Sequence, residues 1–192
     1  MANPIELVVG LGNPGEKYHR TRHNVGFWFL DALAQKCDGS FRLNAKLKAE
    51  VGSGRLGGQR FYLSKPTTFM NLSGESVVAC ANYYRIEPSA VLVVHDELDL
   101  PAGAIRLKKG GGHGGHNGLR DIIKHVGSDF IRLRIGVGDP EHPKRGANFV
   151  LNAPPAVQAE QIESAIAEVV HEFDLIANGD IAKAMNTINR KQ

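Results

Sequence analysis

The run Ala90-Val91-Leu92-Val93-Val94 passes without interruption into His95-Asp96-Glu97-Leu98-Asp99-Leu100-Pro101. Apolar residues that do not alternate with polar ones mark a strand buried on both faces, which is the interior strand of a largely parallel sheet with helices on each side. Such strands present chemistry at their carboxyl ends, so the acids mark the functional edge of the sheet. Nearby, the run Gly110-Gly111-Gly112-His113-Gly114-Gly115-His116-Asn117-Gly118 concentrates glycine around two histidines and an asparagine. Glycine lets the backbone and short polar side chains come close to a bound group.

The remaining periodicities give an α/β chain of alternating elements. Ile5–Val9 reads as a first buried strand and Val25–Cys37 as a helix, followed by a hairpin of Leu47–Gly54 and Gln59–Lys65 turning at Arg55–Gly58. A helix is expected over Glu75–Tyr84, strands over Val91–His95 and Ala104–Lys108, and a helix from Leu119 to Val126 that Gly127 stops. Phe130–Gly138 alternates as a strand, and 139–155 is irregular. A long helix follows over Ala156–Ala177, then a short one over Ile181–Ile188. At 192 residues one domain spanning 1–192 suffices. The N-terminus has no basic-then-apolar leader and no apolar run reaches a membrane span, so a cytoplasmic location is expected. Cys37 and Cys80 fall in apolar helical stretches and read as small buried thiols, not a disulfide or a nucleophile.

Several features carry chemistry. Gly10-Leu11-Gly12-Asn13-Pro14-Gly15 has the glycine spacing of a dinucleotide fingerprint, but Asn13-Pro14-Gly15 is turn chemistry and no apolar helical stripe opens inside it. The polar loop Tyr18–Asn24 is pinned between strand and helix, with Asn24 placed to cap the helix. His23 there is either a surface residue or a base, and a carboxylate within reach decides between them. Phe69 and Met70 are either core or the lining of a groove to which Asn71 adds a donor and an acceptor. Asn117 is either a helix cap or a substrate contact. Arg132 and Arg134 share one face of a strand, where hiding both would be costly. Residues 105–145 hold nine Lys/Arg against four acids in a chain whose net charge is only +3. That basic sector is either a solvated face or a surface for a polyanion such as a nucleic-acid backbone.

Three blocks in order resemble the signature of bacterial peptidyl-tRNA hydrolases. They are Gly10–Gly15 with Tyr18 and Thr21-Arg22-His23-Asn24-Val25-Gly26, then Pro66–Gly74, then His95–Asp99 with Gly110–Asn117. The resemblance implies a three-layer α/β/α fold, a twisted mixed sheet flanked by helices in one domain, acting as a monomer without metal or organic cofactor. It implies hydrolysis of the ester between a peptide and the 3′ ribose of tRNA, with peptidyl-tRNA as the partner and water as the nucleophile. Carried over by position, the base is His23, its carboxylate partner Asp96, and the further catalytic groups Asn13 and Asn117. Tyr18, Met70, Asn71, His116 and Asn117 would bind substrate, and Lys108 and Arg134 would clamp the 5′ phosphate of the tRNA. Two alternatives stand beside this: a tRNA-binding module without catalysis, which would need no His23–Asp96 pair, and a metal hydrolase built on Asp96, His113 and His116.

Overall fold

The computed structural model describes residues 3–138 and 147–189. Its centre is one seven-stranded sheet formed by β1 (Leu7–Gly10), β2 (Arg42–Asn44), β3 (Ala49–Leu56), β4 (Gln59–Pro66), β5 (Val91–Pro101), β6 (Ile105–Lys109) and β7 (Ile131–Gly138), in the order β2-β3-β4-β1-β5-β7-β6. Strands β4, β1, β5 and β7 run parallel, whereas β2, β3 and β6 are antiparallel to their neighbours. The helices are α1 (Val25–Lys36), α2 (Ser73–Tyr84), α3 (Asn117–Val126), α4 (Ala147–Val150), α5 (Ala156–His171), α6 (Phe173–Ala177) and α7 (Ile181–Ile188).

The alternation of each strand divides the core in two. Val8, Leu92, Val94, Leu133 and Ile135 pack against Phe29, Leu33, Ile162, Ile166 and Phe173 on the face covered by α1, α5 and α6. Leu7, Val9, Val91 and Val93 pack against Val77, Cys80, Leu119 and Ile122 on the face covered by α2 and α3. The expected three layers are therefore present. Cys37 and Cys80 lie against opposite clusters, both as free thiols, and burial pushes each thiol up from its ordinary range. At the open edge of the sheet the Asn189 side chain pairs with β6, donating to Leu107 O at 3.2 Å and accepting from Leu107 N at 2.8 Å.

Four expectations change. Helix 156–177 is broken at Glu172, which turns Phe173 so that its ring meets Phe29 at 5.9 Å and Phe61 at 5.6 Å. Strand β5 does not stop at His95 but continues to Pro101, because Gly136 and Gly138 offer no Cβ where the carbonyls of Pro101 and Leu98 cross β7. The short edge strand β2 was not anticipated. Asn24 does not cap α1 with its side chain; it pairs instead with the backbone of Asn13, accepting from its N–H and donating to its carbonyl, both at 2.9 Å. The irregular segment expected at 139–155 lies in part, 139–146, outside the described residues, as do Lys144 and Arg145 of the basic sector, and 147–150 within it form α4.

Candidate active site

Parallel β4, β1 and β5 end at the same rim, and the chain leaves β1 to one side and enters β5 on the other. Ligands in open α/β sheets bind at such a reversal. Three loops meet there: Leu11–Asn24 after β1, Thr67–Leu72 after β4, and the glycine run before α3.

His23 sits in a single 3-10 turn, Arg22–Asn24, that leads directly into α1. The first turn of α1 presses on the sheet because Gly10 and Gly26 lack side chains: a Cβ on Gly26 would lie 2.5 Å from Leu11 N and from Val94 O. Beside it, Arg22 is buried, stacks at 3.8 Å on the ring of Phe149, and donates to the carbonyls of Phe149 and Asn152 at 3.0 and 3.2 Å. Pinned from both sides, His23 donates from Nδ1 to Asp96 Oδ2 at 2.9 Å, with Oδ1 at 3.0 Å. Burial disfavours the charged ring, but the Asp96 carboxylate outweighs it and raises the imidazole pKa above its ordinary value. No described residue bonds its Nε2.

Asp96 is 4% exposed and so is almost fully removed from water. Burial alone would push its carboxyl up; His23 and His116 overcome that and hold it well below the usual carboxylate range. His116 donates from Nε2 to Asp96 Oδ1 at 2.8 Å, while its Nδ1 accepts from the N–H groups of Gly118 and Leu119 at 3.1 and 3.3 Å. His116, not Asn117, is thus the N-cap of α3, and Asn117 is its first helical residue. Behind them His95 is fully buried and donates from Nδ1 to Asp96 O at 2.8 Å; burial, then the neighbouring His116, lower it to about 3. Among the described residues, only His23, Asp96 and His116 bring three ligand-type atoms within 4.8 Å of one another. The facing nitrogens of both rings are committed to Asp96, so a cation would have to displace two protons and two hydrogen bonds. His113 belongs to no such cluster; its Nδ1 accepts from Gly115 N at 2.9 Å.

The other expected residues lie on the same three loops. Asn13, 7% exposed, accepts the Met70 N–H on its Oδ1 at 2.7 Å, leaving its Nδ2 without a described partner. Met70 itself is buried and packs against Gly118, whose missing Cβ would lie 2.6 Å from its sulfur. Asn71 and Asn117 are exposed; Asn117 Oδ1 accepts from Arg120 at 3.2 Å. Tyr18 meets the exposed ring of Phe69 edge-on at 6.3 Å, an apolar rim beside Asn71.

On the face of β6 and β7 that carries Arg132 and Arg134, only the first is hidden. Arg132 is 2% exposed; it donates to the carbonyls of Gly111, Gly112 and Ser128 and stacks on Phe130 at 4.3 Å. The carbonyls of the glycine run thus solvate a buried guanidinium. Arg134 is half-buried and donates from Nε to Glu97 Oε1 at 2.9 Å, with its two terminal nitrogens free of described partners. Lys108, exposed, stands directly across from Arg132 in the register. Arg22, His95 and the capping role of His116 escaped the sequence reading; a histidine followed directly by Asn117-Gly118 and an apolar helix was the one available signal for the cap.

Fold and site together present, at the rim of an α/β sheet, a histidine held by a buried carboxylate, the arrangement a hydrolytic enzyme uses for general base catalysis. A family profile described as peptidyl-tRNA hydrolase matches residues 7–192, and the chain belongs to that family. A peptidyl-tRNA hydrolase from Tolumonas auensis is 47% identical over 98% of this chain and 97% of its own. One from Acinetobacter baylyi is 49% identical over 96% of each. The crystal structure of the enzyme from Acinetobacter baumannii superposes with a TM-score of 0.92 at 46% identity, covering 96% of this chain and 94% of that one.

Proposed function

We propose that the chain hydrolyses the ester joining a peptide to the 3′ ribose of tRNA, with His23 as general base and Asp96 as its orienting partner. Family membership supports the reaction, and the 2.9 Å contact of His23 Nδ1 with Asp96 supports the roles. A histidine with one nitrogen held by a carboxylate keeps the other available for a proton near neutral pH. His23 Nε2 takes a proton from water as the oxygen bonds to the ester carbonyl carbon. The ester C–O bond then breaks, and the imidazolium returns the proton to the departing ribose oxygen. Products are a peptide carboxylate and a free 3′ hydroxyl.

The oxyanion formed on the way needs donors. Asn13, on the same loop as His23, offers its Nδ2, and the exposed amides of Asn71, after β4, and Asn117, at the start of α3, hold the peptide main chain. Tyr18 lines the groove in this reading, and Met70, buried against Gly118, supports it from the core. Loss of one such donor typically costs ~3 kcal/mol, a hundredfold or more in rate. The enzyme acts as a single-domain monomer in the cytoplasm and takes the tRNA on the basic face, where Lys108 and the free nitrogens of Arg134 contact the 5′ phosphate. No helix among the described residues is long and apolar enough to cross a membrane.

The test is single-turnover hydrolysis of N-blocked aminoacyl-tRNA by the parent enzyme and by His23→Ala. Ester cleavage is expected from the parent alone, in the presence of a chelator, with tRNA binding by the variant close to normal. Parent-like turnover by His23→Ala would overturn the role of the base.

A further inference from the structure

We propose that His116 is a positioning residue for the catalytic pair: the N-terminus of α3 holds its ring in the tautomer that donates to Asp96, so the carboxylate is aimed from two sides. This rests on the reading of His23 as base and Asp96 as its partner. It gives His116 a role distinct from lining the peptide groove.

A nitrogen that accepts two backbone N–H groups cannot carry a proton of its own, and His116 Nδ1 faces the N–H groups of Gly118 and Leu119. The neutral ring therefore carries its proton on Nε2, which is the nitrogen 2.8 Å from Asp96 Oδ1. The chain reaches this position through Gly114 and Gly115 at φ of +57° and +85°, a conformation that L side chains rarely adopt, and closes with His116 N–H on His113 O at 2.9 Å. Gly118 leaves space for the ring, since a Cβ there would sit 3.0 Å from His116 Cε1. The charged and titratable groups facing this arrangement are His23 from the turn before α1, Asp96 and His95 from β5, and Arg132 from β7.

The consequence is electrostatic as well as geometric. A buried carboxylate that serves one imidazole alone places its full charge against that ring, whereas a second donor draws off part of it. His116 thus moderates the basicity of His23 while preventing Asp96 from turning away.

Two measurements decide this. In the free parent enzyme with ¹⁵N-labelled histidine at pH 8, the His116 ring is expected in the Nε2–H form; finding the Nδ1–H form overturns the proposal. This readout needs no catalysis, so it can fail while His23 remains the base. In His116→Asn, a short side chain still suited to capping α3 no longer reaches Asp96. The acid limb of kcat is expected to move up by roughly half to one pH unit, because Asp96 then stabilises the His23 imidazolium more strongly. KM should stay near the parent value and the melting temperature within a few degrees. An acid limb that does not move overturns the proposal, and should the variant fail to fold, the tautomer of the parent decides alone.

Discussion

Asn13 turns its Oδ1 onto the Met70 N–H at 2.7 Å, tying the loop after β1 to the loop after β4 across the rim of the sheet. One amide thereby splits its two ends, the oxygen holding the loops and the nitrogen without a described partner, the donor that the proposed function assigns to substrate. Asn13→Ala is expected to lose both. The buried Met70 amide would stand unpaired at a cost of about 1–3 kcal/mol, and turnover would fall by about a hundredfold or more. Asn13→Asp keeps the acceptor and loses the donor. Its urea midpoint should lie closer to the parent than that of Asn13→Ala, while its turnover falls as far. Equal turnover in Asn13→Asp and parent would show that Nδ2 touches no reacting group.

What could be read in the sequence follows from how local each cause is. The buried runs of β1 and β5 need only their own composition, and the hairpin needs only Gly57 and Gly58, so both stood out. Asn24 had the right identity and place for a cap, yet it serves Asn13 instead, a partner set by the approach of two loops. The helix break at Glu172 turns Phe173 onto Phe29 and Phe61, partners far away in the chain that the local pattern does not show. His23 and Asp96 were matched through a pattern of blocks, since nothing within either segment reports the 73 positions that separate them. The resemblance places His116 toward substrate; its contact with Asp96 is invisible in the sequence, because it forms only where the N-terminus of α3 comes beside β5.

The pH dependence of catalysis should report the His23–Asp96 contact. Asp96 raises the pKa of His23 above its ordinary value despite burial, so activity is expected to climb with pH through that raised value as the ring becomes neutral. Asp96→Asn removes the charge. The acid limb of kcat is then expected to shift to lower pH, while kcat itself falls by about 10²–10⁴-fold because the ring loses its fixed tautomer and the imidazolium its counter-charge. An acid limb unchanged in Asp96→Asn would mean that a group other than His23 controls it.

Salt dependence would separate the proposed tRNA contacts from the chemistry. Lys108 is exposed and unpaired by any described residue, whereas Arg134 already donates to Glu97. Lys108→Ala is expected to weaken tRNA binding and to reduce the slope of log K against log salt by about one, as for loss of a single phosphate contact. Cleavage of a minimal ester lacking the 5′ end should proceed at the parent rate. A comparable loss on the minimal ester would place Lys108 in the catalytic step instead. Glu97→Gln should act the other way on binding, by freeing Arg134 from a competing carboxylate.

His95 makes stability sensitive to acid. Its folded-state pKa is lowered to about 3, by burial first and then by His116, whereas in the unfolded chain it returns to 6.5. Between those values the unfolded state holds a proton that the folded state does not, so stability falls as pH falls, by about 1.4 kcal/mol per pH unit for one such proton. The neighbouring groups behave differently over the upper part of this window. His23, raised when folded, contributes stability that is complete below 6.5 and is lost only as pH rises through its folded value. Asp96, depressed when folded, contributes above its unfolded value of 3.8 and loses that contribution only as pH falls below it. Urea unfolding at steps from pH 6.5 to 5 therefore isolates His95. His95→Asn keeps a donor for Asp96 O but cannot take up a proton, and its stability is expected to decline less steeply by about one proton's slope, even if the variant is less stable at every pH. Parallel curves for the two proteins would show that His95 binds its proton equally in both states.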